Sequence, residues 1–335
     1  MSWTHKLVNG WGGDPGLLSL NETSGDFVLC DGGSLEELSD KQISRIQTFC
    51  FTHHHMDHSQ GFQKWLRVRA RHKNQMPWAQ VLGPVGTLEA VLSHLQSYTW
   101  NLLEDDWFSF DVYEGHHSQE VTRTIVRFSG GVYIDFQEHH SAMPEGIQYV
   151  VLDHHIDVLA YRFELPDTFS YKKTDGLEPG AWLNLLKQKV HAKKWEHCIP
   201  SPKGYLPVRQ LSEECLVPKN HSFAYLTDFC FSQENLQKLQ VMAGSIGHVF
   251  CESSFPEQER SRALRVKHLT SYQSALIAYF LGAKDFCPFH VSPAFYEEET
   301  YRQAQVFFVA LHGSSETLQS LVEEELYQVA QSTPV

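Results

Sequence analysis

Short apolar runs alternate with amphipathic stretches along most of the chain, which is typical of an α/β protein. Runs rich in Val, Ile, Phe and Tyr predict eight strands, at 5–8, 26–30, 46–51, 124–128, 147–152, 157–163, 223–227 and 248–252. Apolar positions three and four residues apart predict helices near 59–70, 85–98, 181–190, 232–243, 258–281, 294–311 and 315–330. We therefore expect an α/β fold with two sheet halves rather than separate all-α and all-β domains.

Residues 164–220 interrupt this pattern. They contain prolines at 166, 179, 200, 202, 207 and 218. Long connections of this kind often carry substrate contacts. The sequence thus predicts one domain over 1–335, with an irregular insertion, an arm or long loop, at about 164–220.

Composition narrows the class of protein. The chain is 42% hydrophobic and long enough to bury a substantial core. Its seven cysteines include no CxxC pair, which argues against a disulfide framework or a zinc ribbon and favours a reducing cytosol. No apolar run is long enough to span a membrane, so we expect a cytoplasmic protein. A net charge of −13 disfavours a nucleic-acid partner, unless bound cations or local basic patches reverse the sign.

The segment THHHMDH, residues 52–58, follows the apolar strand at 46–51 directly. In extended backbone, alternate side chains point the same way, so His53 and His55 face one side and His54 the other. A turn after them would aim Asp57 and His58 at a second ion. Imidazoles together with a carboxylate suit zinc and tolerate manganese or iron. The alternative is a histidine-rich surface tract, although such a tract rarely leaves an apolar strand in mid-chain.

Further candidate ligands follow other apolar strands. His154 and His155 follow 147–152, Asp228 follows 223–227, and His290 follows the apolar residues 286–289. A single histidine at a strand end is more often structural than a metal ligand. Several in series with the HxHxDH cluster predict a metal site.

The chain resembles the metallo-β-lactamase fold hydrolases, and among them the tRNase Z branch, the transfer RNA 3′-processing endoribonucleases. HHHMDH matches the HxHxDH signature of the fold. Further similar segments follow in the family's order: LGPVG, LDHHIDVLAYRFE, LTDF, CESSF, VKHLTSYQSALIA and FHVSPAF. The resemblance implies a four-layer αβ/βα sandwich with an inserted arm, and a homodimer.

The resemblance also implies residue roles. One zinc ion would be held by His53, His55 and His154, a second by Asp57, His58 and His290, and Asp228 would bridge them, with Mn²⁺ as an alternative metal. The candidate catalytic residues are Asp57, His268 as proton donor to the leaving oxygen, and Glu252, which would orient His268. The alternative for His268 is a structural residue at a helix N-terminus, capped by Thr270 or packed against the core.

Three segments depart from the family pattern. Ser34, Leu35 and Glu36 follow VLCDGG in place of an acidic residue, glycine and threonine. Phe229 follows Asp228 where threonine is usual, and Ala160 replaces the glycine before Tyr161. We expect these positions on the rim that faces the substrate.

This chemistry suits phosphodiester hydrolysis. Two metals about 3.5–4 Å apart can share a hydroxide at neutral pH. A protonated histidine can assist the leaving alkoxide. The family resemblance implies the first hypothesis, an endoribonuclease that removes the 3′ trailer of precursor tRNA and leaves a 3′-hydroxyl on the RNA body. The alternatives are a sibling hydrolase of a small phosphodiester or ester, and a non-catalytic RNA-binding relative, which would have lost ligands.

Two basic stretches could contact RNA. One is Lys187, Lys189, Lys193 and Lys194 around Trp195, and the other is Lys64, Arg67, Arg69, Arg71 and Lys73. Cations interleaved with aromatic rings suit a phosphate backbone and an exposed base. Each stretch could equally be a solvated helix face, and 187–195 could be a dimer contact.

Overall fold

The structure is a computed structural model that describes residues 3–22, 24–71, 78–101, 109–128, 132–164, 169–218, 221–295 and 297–332. Its strands, numbered in chain order, are β1 (Trp3–Leu7), β2 (Leu17–Asn21), β3 (Phe27–Cys30), β4 (Ile46–Cys50), β5 (Trp78–Pro84), β6 (Ser109–Gly115), β7 (Val121–Phe128), β8 (Val132–Ser141), β9 (Ile147–Asp153), β10 (Asp157–Glu164), β11 (Phe169–Tyr171), β12 (Cys198–Ser201), β13 (Gly204–Pro207), β14 (Leu216–Pro218), β15 (Ser222–Leu226), β16 (Ile246–Glu252) and β17 (Ala283–Phe289). Lys73 and the other residues outside these ranges are not described.

The helices are α1 (Asp40–Ile43), α2 (Met56–Ser59), α3 (Phe62–Arg71), α4 (Thr87–Gln96), α5 (Ala181–His191), α6 (Val208–Cys215), α7 (Gln233–Leu239), α8 (Arg260–Arg265), α9 (Ser271–Phe280), α10 (Glu297–Gly313) and α11 (Leu318–Ser332). Short 3₁₀ turns follow α7 at Gln240–Met242 and precede α8 at Glu257–Glu259. None of the helices in the described ranges combines the length and apolar character that a bilayer crossing needs.

Two mixed sheets form the centre of the larger compact unit, Met1–Phe163 with Ser222–Val335. One has eight strands in the order β1 to β8, and its β3, β4, β5 and β6 run parallel. The other has five, in the order β17-β16-β15-β10-β9, and its β15, β16 and β17 are parallel. Parallel strands end at one edge of a sheet, which is where α/β proteins usually place a site.

Three apolar cores lie between the layers of this unit. A central core joins the sheets, for example Tyr113 of β6 with Tyr161 of β10 and Phe223 of β15. A second core lies between the eight-stranded sheet and helices α3 and α4. A third lies between the five-stranded sheet and α7, α9, α10 and α11. The result is four layers, αβ/βα, as the family resemblance implies.

The smaller unit, Glu164–His221, has secondary structure of its own. Strands β11 and β14 pair with each other, β12 and β13 form a hairpin, and the predicted helix at 181–190 is α5. Leu186 and Val190 of α5 and Leu211 of α6 lie in its small apolar core. The segment is therefore more regular than its six prolines suggest.

The predicted helix at 258–281 is wrong as a single element. Helix α8 ends at Arg265 and α9 begins at Ser271. Between them, Lys267 has a φ of 56°, which a helix cannot contain. Thr270 then caps α9 in a capping box with Gln273, a T-x-x-Q signal that the sequence carries. His268 consequently lies in a fixed break between helices.

Helix α3 shows how a basic stretch can be structural. Trp65 is fully buried and Arg69 is 4% exposed. The Arg69 guanidinium donates to the carbonyl oxygens of Ile46 at 3.1 Å and Trp78 at 2.8 Å. Burial lowers the pKa of Arg69 to about 10, so it remains charged at neutral pH.

We expect Arg69→Met to lower the free energy of unfolding by about 1–3 kcal/mol, since two carbonyl oxygens lose a charged donor. Arg67→Met, at an exposed position on the same helix, should change it by less than about 0.5 kcal/mol. Urea unfolding midpoints measure both. Equal effects of the two substitutions would contradict the structural role of Arg69.

Candidate metal centre

His53, His54 and His55 follow strand β4, and the backbone of His55 is extended. The His53 and His55 rings lie on one side with their centroids 4.4 Å apart. His54 points away, and its Nε2 lies 2.9 Å from Thr87 Oγ1. Burial lowers the pKa of His54 to about 4, so it is neutral. The alternation expected from the sequence is present.

The chain then turns into the four-residue helix α2, which the sequence analysis missed. His55 is its N-cap, with extended φ and ψ of −64° and 152°. Asp57 and His58 lie in its single turn, and His58 Nε2 is 3.5 Å from Asp57 Oδ2. The helix thus redirects these side chains toward the centre of the cluster.

The remaining predicted ligands come from three strand ends. His154 follows β9 and is buried, whereas His155 is exposed, so the structure selects His154. His154 Nδ1 lies 2.8 Å from the carbonyl oxygen of Lys267, which leaves Nε2 to face the cluster. Asp228 follows β15 and His290 follows β17.

Asp228 is the common neighbour of this set. Its carboxylate is buried, with 2% of the residue exposed. Oδ2 lies 3.3 Å from His58 Nε2, 3.7 Å from His53 Nε2 and 3.8 Å from His154 Nε2. Oδ1 lies 3.2 Å from His290 Nε2. The two carboxylate oxygens therefore face two different groups of donors.

Ligand atoms within 4.8 Å of one another define these groups. They are His55, His154 and Asp228; His53, His58 and Asp228; Asp57, His58 and His290; and Asp228, His268 and His290. All seven predicted ligands are in this cluster.

The charges of the cluster are interdependent. Burial, with the nearby His58 charge, lowers the pKa of His53 to about 2. Burial also lowers the pKa of His154. Burial opposes charge on His58 as well, but Asp228 and Asp31 outweigh it and raise the pKa of His58 well above its usual value. Burial raises the pKa of Asp228, but His290 and His58 outweigh it and hold that pKa well below its usual range.

The donors fit a metal. The Nε2 atoms of His53 and His58 are buried and have no hydrogen-bond partner among the described residues. Buried polar atoms normally have a partner, so unpaired nitrogens aimed at one carboxylate indicate a cation. Neutral imidazole and carboxylate are ligands that zinc and its neighbours in the first transition row accept.

Asp31 is a site residue that the sequence analysis missed. It follows β3, is fully buried, and its Oδ2 lies 2.9 Å from His58 Nδ1. The backbone N–H and hydroxyl of Thr52 and the hydroxyl of Tyr225 also donate to its carboxylate. A carboxylate behind a histidine fixes the ring and leaves the other nitrogen for a metal. The signal was the aspartate before two glycines at a strand end.

His268 and Glu252 form a pair beside the cluster. His268 Nδ1 lies 2.7 Å from Glu252 Oε2 and 3.9 Å from Asp228 Oδ1. Glu252 is fully buried. Its carboxylate accepts hydrogen bonds from the N–H of Phe229 at 2.9 Å and from the hydroxyl of Ser254 at 2.6 Å. Burial opposes charge on His268, but the Glu252 carboxylate outweighs it and raises the pKa of His268 to about 9. His268 is thus a cation at neutral pH.

The positions that depart from the family pattern do not form a rim. Leu35 lies in the core under α3 and α4. Ala160 and Phe229 lie in the core of the five-stranded sheet. That prediction is wrong for all three, because their side chains pack inward. Ser34 is half-buried, and Glu36 is exposed and pairs with Lys64.

The two basic stretches differ. In the stretch at 64–73, Lys64 pairs with Glu36, Arg71 pairs with Asp40, and Arg69 is buried, so these three cations do not form a continuous exposed patch. In the smaller unit, no carboxylate of a described residue pairs with the lysines of 187–195. Trp195 is half-buried in that unit's core, with the Arg209 guanidinium 5.9 Å from its ring centre.

Comparison with known proteins identifies the class. No family model matches the chain. The solved structure of the metallo-β-lactamase fold protein YhfI from Bacillus subtilis superposes with a TM-score of 0.54 at 12% identity, covering 92% of this chain and 94% of that one. The four layers of this chain are thus those of the metallo-β-lactamase fold.

Within that fold, the sequence is similar to proteins named ribonuclease Z. The Deinococcus radiodurans protein is 27% identical over 305 residues, covering 84% of this chain and 87% of the relative. The Prochlorococcus marinus (strain MIT 9312) protein is 25% identical over 316 residues, covering 90% and 91%. The chain is thus a metallo-β-lactamase fold protein that resembles ribonuclease Z over most of its length.

We expect Asp31→Asn to weaken zinc binding about 10- to 100-fold, because His58 loses the carboxylate that orients it. Asparagine tolerates the positive φ of 53° at this position, so the backbone should be retained. Competition with a chromogenic chelator measures the affinity. Asp285→Asn, at an exposed carboxylate where β17 begins, is the control. Unchanged affinity in Asp31→Asn would show that the contact is dispensable.

Proposed function

We propose that this chain is a metal-dependent endoribonuclease that removes the 3′ trailer of precursor tRNA. The observation that carries the proposal is the clustering of seven nitrogen and oxygen donors, Asp228 among them, with His268 beside them. Similarity to ribonuclease Z over 84% to 90% of the chain supports the substrate class. The relatives are 22% to 27% identical to this chain.

The finer assignments follow the sequence prediction. His53, His55 and His154 would hold one Zn²⁺ and Asp57, His58 and His290 a second, with Asp228 between them and Mn²⁺ as the alternative metal. When bound, the ions would supply a nucleophile at neutral pH and neutralise phosphate charge. Elemental analysis of the purified protein should find about two metals per chain.

The chain's own groups would position the phosphodiester and move one proton. Because Nδ1 of His268 is directed at Glu252, its Nε2 is the nitrogen that can donate to the leaving oxygen. The Glu252 carboxylate stabilises the imidazolium and so favours retention of that proton. The contacts of Glu252 with Phe229 and Ser254 fix the pair in place.

The smaller unit would serve as the RNA-binding arm of a single enzyme domain. Lys187, Lys189, Lys193 and Lys194 provide positive charge on a protein whose net charge is −13. Trp195 would contribute to packing inside the unit rather than to base stacking. A cytoplasmic homodimer is the expected form, which sedimentation velocity and cell fractionation test.

Purified protein should cleave a trailer-bearing tRNA precursor at the 3′ end of the tRNA body, and His55→Ala should abolish cleavage. Mapping the product ends by sequencing gels measures the cut. Turnover of bis(p-nitrophenyl) phosphate without cleavage of the precursor would instead favour a hydrolase of small phosphodiesters. Loss of both activities on chelation, with recovery on adding Zn²⁺, tests the metal requirement.

We expect His268→Ala to lower kcat about 10²- to 10⁴-fold, the usual contribution of a general acid. Glu252→Gln should lower the pKa of His268, because the carboxylate that stabilises its cation is removed. The basic limb of the kcat/KM profile should therefore move to lower pH.

Glu234→Gln is the control for this pH profile, since Glu234 is exposed and pairs only with Lys238 among the described residues. A profile that is identical in wild type and Glu252→Gln would exclude the pair as the proton donor.

A further inference from the structure

An exposed tryptophan lies on the loop between β1 and β2. This loop, residues 9–16 with the sequence NGWGGDPG, is called the Trp11 loop here. Trp11 is 41% exposed, and its ring stacks on Tyr301 of α10 with centroids 4.1 Å apart and planes 18° from parallel. Tryptophan is usually largely buried, so an exposed ring held flat against a second ring requires an explanation.

One end of the loop is attached to the connection that carries His290. The carbonyl oxygen of Trp11 accepts the N–H of Val291 at 3.0 Å. With standard bond lengths, this places the Cα atoms of Trp11 and His290 within about 9 Å of each other. The tryptophan therefore lies next to a candidate metal ligand.

The other end is attached to the connections that carry His58 and Asp31. Asp14 Oδ2 accepts the side-chain N–H of Gln60 at 2.6 Å, two residues after His58. Pro15 accepts the N–H of Gly33 at 3.0 Å, two residues after Asp31. Asn9 closes the loop internally by donating to the carbonyl oxygen of Asp14 at 2.8 Å. The position of Trp11 relative to the metal centre is thus fixed by hydrogen bonds from three sides.

The immediate surroundings supply an aromatic face rather than positive charge. Arg302, next to Tyr301, pairs with Glu298. Tyr301 supports one face of the indole, so the other is the face that a ligand could contact. Aromatic rings presented in this way bind nucleobases by stacking and tolerate any base.

We infer that Trp11, supported by Tyr301, is a stacking platform for an unpaired nucleobase adjacent to the phosphodiester that is hydrolysed. The inference rests on the proposed function, because it takes RNA as the substrate. It assigns base recognition near the cut to the Trp11 loop, whereas the lysines of 187–195 would contact the phosphate backbone.

The test compares Trp11→Ala, Trp11→Phe and Trp78→Ala. Trp78 is a matched control, since it is 39% exposed. It lies at the start of β5, whereas the candidate metal ligands follow the ends of the neighbouring strands. Trp11→Ala should raise KM for the precursor, and Kd for a short unstructured adenosine-rich oligoribonucleotide, roughly 5- to 150-fold. The substitution should change KM much more than kcat. Trp11→Phe should recover most of it, and Trp78→Ala should bind like wild type.

Salt dependence separates stacking from charge. The slope of log Kd against log salt should be the same for wild type and Trp11→Ala, because no phosphate contact is lost. Binding is measured in the His55→Ala background to prevent cleavage, and circular dichroism confirms folding. Tyr301→Ala should weaken binding less than Trp11→Ala.

The outcomes separate the two proposals. If wild type does not cleave the precursor, the proposed function is wrong, whatever the Trp11 variants do. If wild type cleaves and Trp11→Ala matches Trp78→Ala in KM and Kd, the platform is wrong and the proposed function stands. A loss that Trp11→Phe does not recover would also overturn stacking.

Discussion

The organisation of the site depends on one buried carboxylate. Asp228 carries a negative charge where water cannot solvate it, and such a charge is costly unless it is compensated. In the structure, the compensation comes from imidazoles on three separate connections. Either a proton on His58 or a bound metal ion can compensate the negative charge of Asp228. Metal binding should therefore release protons. The fold therefore maintains a centre that attracts positive charge inside a protein of net negative charge.

The backbone conformation is unusual in the connections that carry these site residues. Among the described residues, eight other than glycine have positive φ, and five of them are in the connections around the cluster: Asp31, His155, Asp228, Lys267 and His290. This conformation is uncommon for residues with a Cβ and persists where surrounding contacts enforce it. Sharp turns at strand ends let adjacent residues face opposite directions, as His154 and His155 do. Packing in the three cores provides the stability that these turns need.

Much of the fold and of the cluster could be predicted from the sequence. All eight predicted strands are present, because buried strands have continuous apolar character. The seven cluster residues could be found because each follows such a strand or lies in the HxHxDH segment. The remainder depends on tertiary contacts. Nine of the seventeen strands in the described residues are missing from the prediction, among them β8, whose residues are mostly exposed. Asp31 is missing because only its neighbours distinguish it from an ordinary turn aspartate. Leu35 and Phe229 were placed on a rim because sequence alone does not show which way a loop side chain faces.

The break between α8 and α9 has a wider consequence. The carbonyl group of Lys267 orients His154, and the next residue is His268. The ammonium group of Lys267 also lies 2.5 Å from Asp153, directly before His154. The peptide between Lys267 and His268 thus fixes the positions of the His154 imidazole and the His268 imidazolium relative to each other. Any change that moves this peptide therefore disturbs the orientation of both histidines at once.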